Sequence, residues 1–134
     1  GAFGADLVNF VEGDGSVLTT GNATLNTQVI STDGSTGTAT TEIFLIDIGT
    51  YADDAAITTA FGAGSLTFST GTVVNNDGVL IAYKTTAGNI NIAGAQFNGT
   101  GGSSDSIDAV QTLVTLNGIS TYGNFNATDF LIQA

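Results

Sequence analysis

The chain has 134 residues, of which twelve are acidic and one, Lys84, is basic, for a formal net charge of −11. Such a surface repels phosphate backbones and anionic headgroups, which excludes nucleic acid and membrane insertion or surface binding as natural modes of partnership. Histidine, cysteine and methionine are absent, so disulfides, thiol chemistry and the usual zinc or copper sites are excluded as well.

A hydrophobic content of 42 % marks a chain that buries a core, and the length fits a single domain over residues 1–134. No apolar run approaches the ~18 residues of a membrane span; the longest, IFLIDI from Ile43, is interrupted by Asp47. Beginning at Gly1 and showing no signal peptide, the sequence reads as a processed product or a fragment.

In chain order the pattern is overwhelmingly β. Threonine, valine and isoleucine fill the apolar stretches, glycine, asparagine and aspartate punctuate them, and proline is absent. Strands are expected near 6–11, 24–31 and 39–48. YADDAAITTAFG then breaks the pattern: aspartates suited to a helix start, alanines through the middle and Gly62 as a stop predict a short helix. Further strands are expected near 65–68, 79–85, 89–97, 112–117 and 130–133. The clearest supersecondary unit is VLIAYKTTAGNINIAGAQF, two apolar runs joined around Thr86-Ala87-Gly88 as a hairpin, with Ile90, Ile92, Ala95 and Phe97 facing the core. GTGGSSDS reads as a loop, and a turn of helix is expected over 126–129. Short strands separated by turn signals give an all-β fold, a single antiparallel β-sandwich or jelly-roll-like domain with one short helix.

The residue types argue against an enzyme. General acid–base work near neutral pH recruits histidine, lysine or a perturbed carboxylate, and here histidine and arginine are missing and one lysine exists. A carboxylate pair of glycosidase type would have to come from Asp53-Asp54 or Asp105 with Asp108. The simpler reading places Asp53-Asp54 at a helix N-terminus, where negative charge meets the dipole, and Asp105 and Asp108 on a solvated loop. Calcium is the candidate cofactor, because hard cations take several oxygen ligands and Asp14, Asp33 and Asp77 each precede a glycine. Asp-Gly is also common hairpin-turn chemistry, needing no ion. Lys84 is either the partner of a carboxylate or an exposed strand residue. Tyr51, Tyr83 and Tyr122 either line a sugar-binding surface or pack half-buried. Asn22, Asn98 and Asn126 each open an Asn-x-Thr triplet, a glycan acceptor in a host that reads it.

Two parts of the chain carry a resemblance. Gly1-Ala2-Phe3-Gly4-Ala5-Asp6-Leu7-Val8-Asn9 matches the calcium-binding nonapeptide G-G-x-G-x-D-x-U-x except at Ala2, and GAFGADLVNFVEGDG as a whole resembles the last such repeat of RTX proteins running into its strand and acidic turn. VLIAYKTTAGNINIAGAQF followed by TLVTLNGISTYGNFNATDFLIQA resembles the C-terminal modules of proteins exported by type I secretion. Leu116, Gly118 and Ile119, then Asp129-Phe130-Leu131-Ile132, occupy the places of their L-x-G-V/I element and aromatic-acidic-apolar ending. The resemblance implies export in an unfolded state and folding outside the cell, where calcium is abundant, with Asp6 as the metal ligand it nominates; Asp14, from its Asp-Gly turn, is the second candidate ligand. The chain departs from the type in lacking the repeat array whose neighbouring turns share each ion.

Together these features lead to the expectation of an extracellular structural protein, self-assembling into a surface filament, sheet or biofilm matrix by β-strand pairing between copies, with itself as partner and calcium as counterion. The strand expected to pair lies in ADLVNFV, where Leu7 alternates against Val8 and Phe10, and residues 1–11 would form an exchanged N-terminal arm. The same segment also reads as an ordinary first strand of its own domain. The alternatives are a C-terminal secretion and folding module of a larger RTX-type protein, or a calcium- or carbohydrate-binding adhesion domain.

Overall fold

The computed structural model describes residues 8–11, 23–24, 26–36, 41, 43–62, 68–69, 78–98, 106–123 and 130–133. In chain order the elements are β1 (Val8–Val11), β2 (Ala23–Thr24), β3 (Thr27–Ile30), β4 (Ser35–Thr36), β5 (Ile43–Tyr51), α1 (Asp54–Gly62), β6 (Phe68–Ser69), β7 (Gly78–Thr85), β8 (Ile90–Asn98), β9 (Ser106–Leu116) and β10 (Phe130–Gln133). The main body is an open five-stranded sheet in the order β3-β5-β7-β8-β9, accompanied by a three-stranded sheet β1-β10-β2 and a two-stranded pair β4-β6. The described residues are therefore mostly β with one short helix, as expected.

The expected wholly antiparallel arrangement is corrected by the strand directions. β3 runs parallel to β5 and β5 parallel to β7, whereas β7-β8 and β8-β9 are antiparallel. The cause is the segment between β5 and β7. Parallel neighbours need a long crossover, most often helical, and the Asp-Asp-Ala-Ala stretch supplies α1 there. Strands buried on both faces also read as near-continuous apolar runs, which is what IFLI in β5 and VLIA in β7 are.

The central hairpin forms as the sequence indicates. Thr85 and Asn89 close it: the Thr85 N–H donates to the Asn89 carbonyl at 2.8 Å and the Asn89 N–H donates to Thr85 Oγ1 at 3.0 Å. Gly88 takes φ +80° inside this turn, a left-handed conformation that costs glycine nothing and most residues about 1 kcal/mol or more. In β8, Ile90 and Ile92 face one side of the sheet while Ala93 and Ala95 face the other, and all four are buried; the side chain of Phe97 lies outside the described set. The alanines let α1 approach: Ile57 and Phe61 of the helix are fully buried in the same cluster as Ala93, Ala95, Ile81 and Phe44. The opposite face carries Ile43, Leu45, Leu80, Ala82, Ile90 and Ile92, capped by Tyr122 from the turn after β9.

Several boundaries differ from expectation. The strand expected over 24–31 divides into β2 and β3, which belong to different sheets. The one expected over 39–48 begins at Ile43 and continues to Tyr51. The one expected from residue 112 begins at Ser106 and is the longest in the chain's described part, at eleven residues. Residues 99–105 and the helical turn expected over 126–129 fall outside the described residues.

Candidate assembly edges

β9 is the outer strand of the main sheet, hydrogen-bonded on one side to β8; among the described residues no strand pairs with its other side. Its burial alternates, but the side it buries changes at a register shift: Ile107 and Val110 pack with the cluster on the α1 side, and Val114 and Leu116 with the cluster on the other face. Ile107 is buried, Val110, Thr112, Val114 and Leu116 are half-buried, and the residues between them are exposed. The ladder to β8 slips twice. Ile92 pairs with Val114 but Ala93 with Thr112, leaving Leu113 extra, and Gln96 pairs with Ala109 but Phe97 with Ile107, leaving Asp108 extra. Each is a β-bulge, a device that bends a strand and re-aims its groups.

The first bulge serves a polar clamp. Asp53 caps α1, its Oδ1 accepting the Ala56 N–H at 2.8 Å. Asp54, the first helical residue, reaches sideways to the sheet and accepts three hydrogen bonds: from the Thr112 N–H at 2.8 Å, from Thr112 Oγ1 at 2.5 Å and from the Tyr83 hydroxyl at 2.6 Å. The chain of donors continues across the sheet. Asn91 Nδ2 donates to the Tyr83 hydroxyl at 2.8 Å, and Thr115 Oγ1 donates to Asn91 Oδ1 at 2.9 Å. Partial burial pushes the Asp54 carboxyl up, but the hydrogen bonds from Thr112 and Tyr83 outweigh it and hold the group below its ordinary value. Burial, with the Asp54 hydrogen bond second, raises the Tyr83 phenol. A carboxylate held this way resists protonation, and its bonding fixes the helix start to the strand.

At the other end of α1, Gly62 lies against β9 so closely that a Cβ there would stand 2.8 Å from the Ile107 carbonyl oxygen. The helix therefore runs along β9 from Thr112 back to Ile107. Residues 113–116 lie beyond its first turn.

The opposite margin of the sheet is β3, four residues long and paired to β5. Among the described residues, the large apolar side chains left exposed are Leu113 on β9, at 54 %, and Val29 on β3, at 48 %. Both belong to outer strands. β3 contains no charged residue and β9 only Asp108, in a chain of net charge −11. Native sheet margins are usually guarded by charge, lysine above all. Here α1 lies along residues 107–112 of β9, and two bulges bend the strand.

The sequence-nominated residues are placed as follows. Val8 and Phe10 lie on β1, which pairs in parallel with β10 of the same chain, Val8 opposite Phe130 and Phe10 opposite Ile132. Leu7, Asp6 and Asp14 lie outside the described residues, as do Asp77, Asp105, Asn22 and Asn126. Asp33 sits in an exposed turn between β3 and β4, closed by the Ser35 N–H donating to the Thr32 carbonyl at 3.2 Å. Among the described residues no three acidic side chains come together to hold a metal ion. Asp108 is exposed at the second bulge of β9.

Lys84 is paired with a carboxylate, Asp47 on neighbouring β5. The tyrosines do not share a surface. Tyr51 and Tyr83 stack edge-on beneath α1, their ring centroids 6.1 Å apart, while Tyr122 lies in the cluster on the other face. Tyr122 has a task that the sequence did not announce. Between Ile46 and Tyr51 the β5 ladder parts from β7, since Ile46 pairs with Tyr83 but Tyr51 with Thr85. The Tyr122 hydroxyl spans the parting strands, shared between the carbonyls of Ile46 at 2.9 Å and Ala82 at 2.8 Å. Its burial pushes the phenol far up, so it remains a neutral donor.

Comparison with protein-family models, curated proteins and solved structures found no match.

Proposed function

We propose that this chain is an extracellular structural protein that self-assembles into a surface filament, sheet or biofilm matrix by pairing β-strands between copies. The observation that carries the reading is the end of β9, residues 113–116, which lies at the margin of an open sheet beyond the start of α1, carries no charge and leaves Leu113 exposed at a bulge. Main-chain N–H and C=O groups along such a margin are a template for another strand. The resemblance of both ends of the chain to RTX and type I-secreted proteins supports the extracellular setting. The finer fold proposed is a sandwich, supported by the burial of Ile43, Leu45, Leu80 and Ile92 on the sheet face opposite α1, which requires a covering layer there.

Charge regulates the assembly. Copies bearing −11 each repel one another, and salt shortens the range of that repulsion to about 8 Å at physiological ionic strength. Calcium would act more strongly than sodium by binding carboxylates directly. β1 contributes through its pairing with β10, which is the same whether the strand comes from its own chain or from a neighbour by exchange.

Sedimentation and electron microscopy over a range of protein concentration, in low salt, in high sodium chloride and in calcium with and without chelator, test the reading. Fibres or sheets that grow with concentration and with cations are expected. A chain that stays monomeric in every condition refutes it. Removing residues 1–11 asks separately whether an exchanged arm is needed, since a truncated chain that assembles as well as the intact one leaves the arm no role.

A further inference from the structure

We infer that the contact between copies is heterologous and parallel, β9 of one copy receiving β3 of the next, with Leu113 and Val29 covered together. This rests on the self-assembly reading above and names its partner surface. The strand directions carry it. β3, β5 and β7 run one way, β8 runs against them and β9 against β8, so β9 and β3 point in the same direction at opposite margins of one sheet. A second copy placed beside the first by a step along the sheet, with the rotation that the accumulated strand twist requires, therefore sets its β3 parallel to β9 and continues the same mixed sheet.

Three further features agree. The exposed large apolar side chains of the described residues fall one on each of these strands. Both strands are almost free of charge, so the mutual repulsion of two acidic copies is least where they would touch. The part of β9 beyond the start of α1, residues 113–116, is four residues long, as is β3. A twofold β9-to-β9 contact would instead be antiparallel, would leave β3 unused and would close as a dimer. A heterologous contact that repeats as a step along the sheet together with a rotation about that direction does not close and yields a helical filament. With only four residues to pair, each contact is small beside a standard interface, so growth is expected to need high protein concentration.

The test uses two single variants of the full chain, Leu113→Lys and Val29→Lys, each placing a charge on one margin and leaving the other intact. Wild type is examined first by sedimentation; if it shows no assembly, the self-assembly reading and this inference fall together. Given wild-type assembly, each variant alone is expected to remain monomeric, and an equimolar mixture to form a 1:1 dimer through the one sound β9 and the one sound β3. A mixture that stays monomeric, or a Val29→Lys chain that polymerises like wild type, overturns the β9-to-β3 contact while leaving self-assembly standing. As a check independent of added charge, Leu113→Cys and Val29→Cys are mixed and treated with a short bismaleimide; the natural chain has no cysteine to interfere. Cross-links between the two variants and none within either alone are expected. Leu113→Cys linking to itself would indicate the twofold contact and contradict the inference.

Discussion

The β7–β8 hairpin and β9 are neighbours in one sheet, yet they stand in opposite relations to water. In the hairpin, Leu80, Ile81, Ala82 and Tyr83 are buried in succession, because α1 packs on one face and Tyr122 with its cluster on the other. β9 is paired on one side, bulged twice and half-covered, and it leaves Leu113 exposed. The difference teaches that stability and interaction are separated by position across the sheet. Burial in the centre holds the fold, and the margin is held mainly by directed hydrogen bonds that leave its outer side unpaired among the described residues.

Ile81→Ala removes a fully buried side chain from the centre and should cost about 2–5 kcal/mol of folding stability in urea unfolding. If its cost is no larger than that of a margin substitution, the contrast drawn above fails. Asp54→Ala unfastens α1 from β9, leaving the Tyr83 hydroxyl and both Thr112 donors without their acceptor, at about 1–3 kcal/mol. The same variant sharpens the contrast through pH. Because Asp54 titrates below its unfolded value, its stabilisation is complete above the ordinary carboxylate pKa of about 3.9 and is lost as pH falls through the lower folded value. The stability gap between wild type and Asp54→Ala should therefore be flat at neutral pH and shrink on acidification below about pH 4. A gap that widens in acid would mean the carboxylate is not held as described.

Gly62→Ala weighs two effects. Alanine gains about 1 kcal/mol of helix propensity, but its Cβ meets the Ile107 carbonyl, and such overpacking costs about 1–3 kcal/mol. A net loss near 1 kcal/mol is expected, with the helix displaced from β9. Leu113→Lys, at the exposed bulge, should change folding stability by less than about 0.5 kcal/mol while abolishing assembly. Loss of folding stability on the scale of Ile81→Ala would show that Leu113 belongs to the core.

Local features of the fold were legible in the sequence, and distant ones were not. The helix of 54–62 announces itself by its aspartates and alanines, and the hairpin by two apolar runs around Thr86-Ala87-Gly88, because capping and turn chemistry act over a few residues. The parallel course of β3, β5 and β7 was signalled by the unbroken apolar runs IFLI and VLIA, yet turn spacing alone reads the same for either direction. The Asp54–Thr112 clamp joins residues 58 apart in the chain, a separation no local pattern reports. Its one visible trace is Asn91, a polar residue at a position that alternates with the buried Ala93 and Ala95. The role of Tyr122 left no such trace, since a tyrosine packing on a core and one pinning two carbonyls look alike in sequence. For assembly, alternation in ADLVNFV drew attention to the first strand, whereas the exposure of Leu113 depends on a bulge set by pairing with β8.

Amide hydrogen exchange along β9 tests the central claim most directly. In dilute protein at low salt, those amides of β9 residues 113–116 that turn away from β8 should exchange rapidly, while β7 and β8 remain protected; in the assembled state those open β9 amides should become slow. Amides of β9 that are all protected already in the monomer, or that stay fast in fibres, would contradict the account.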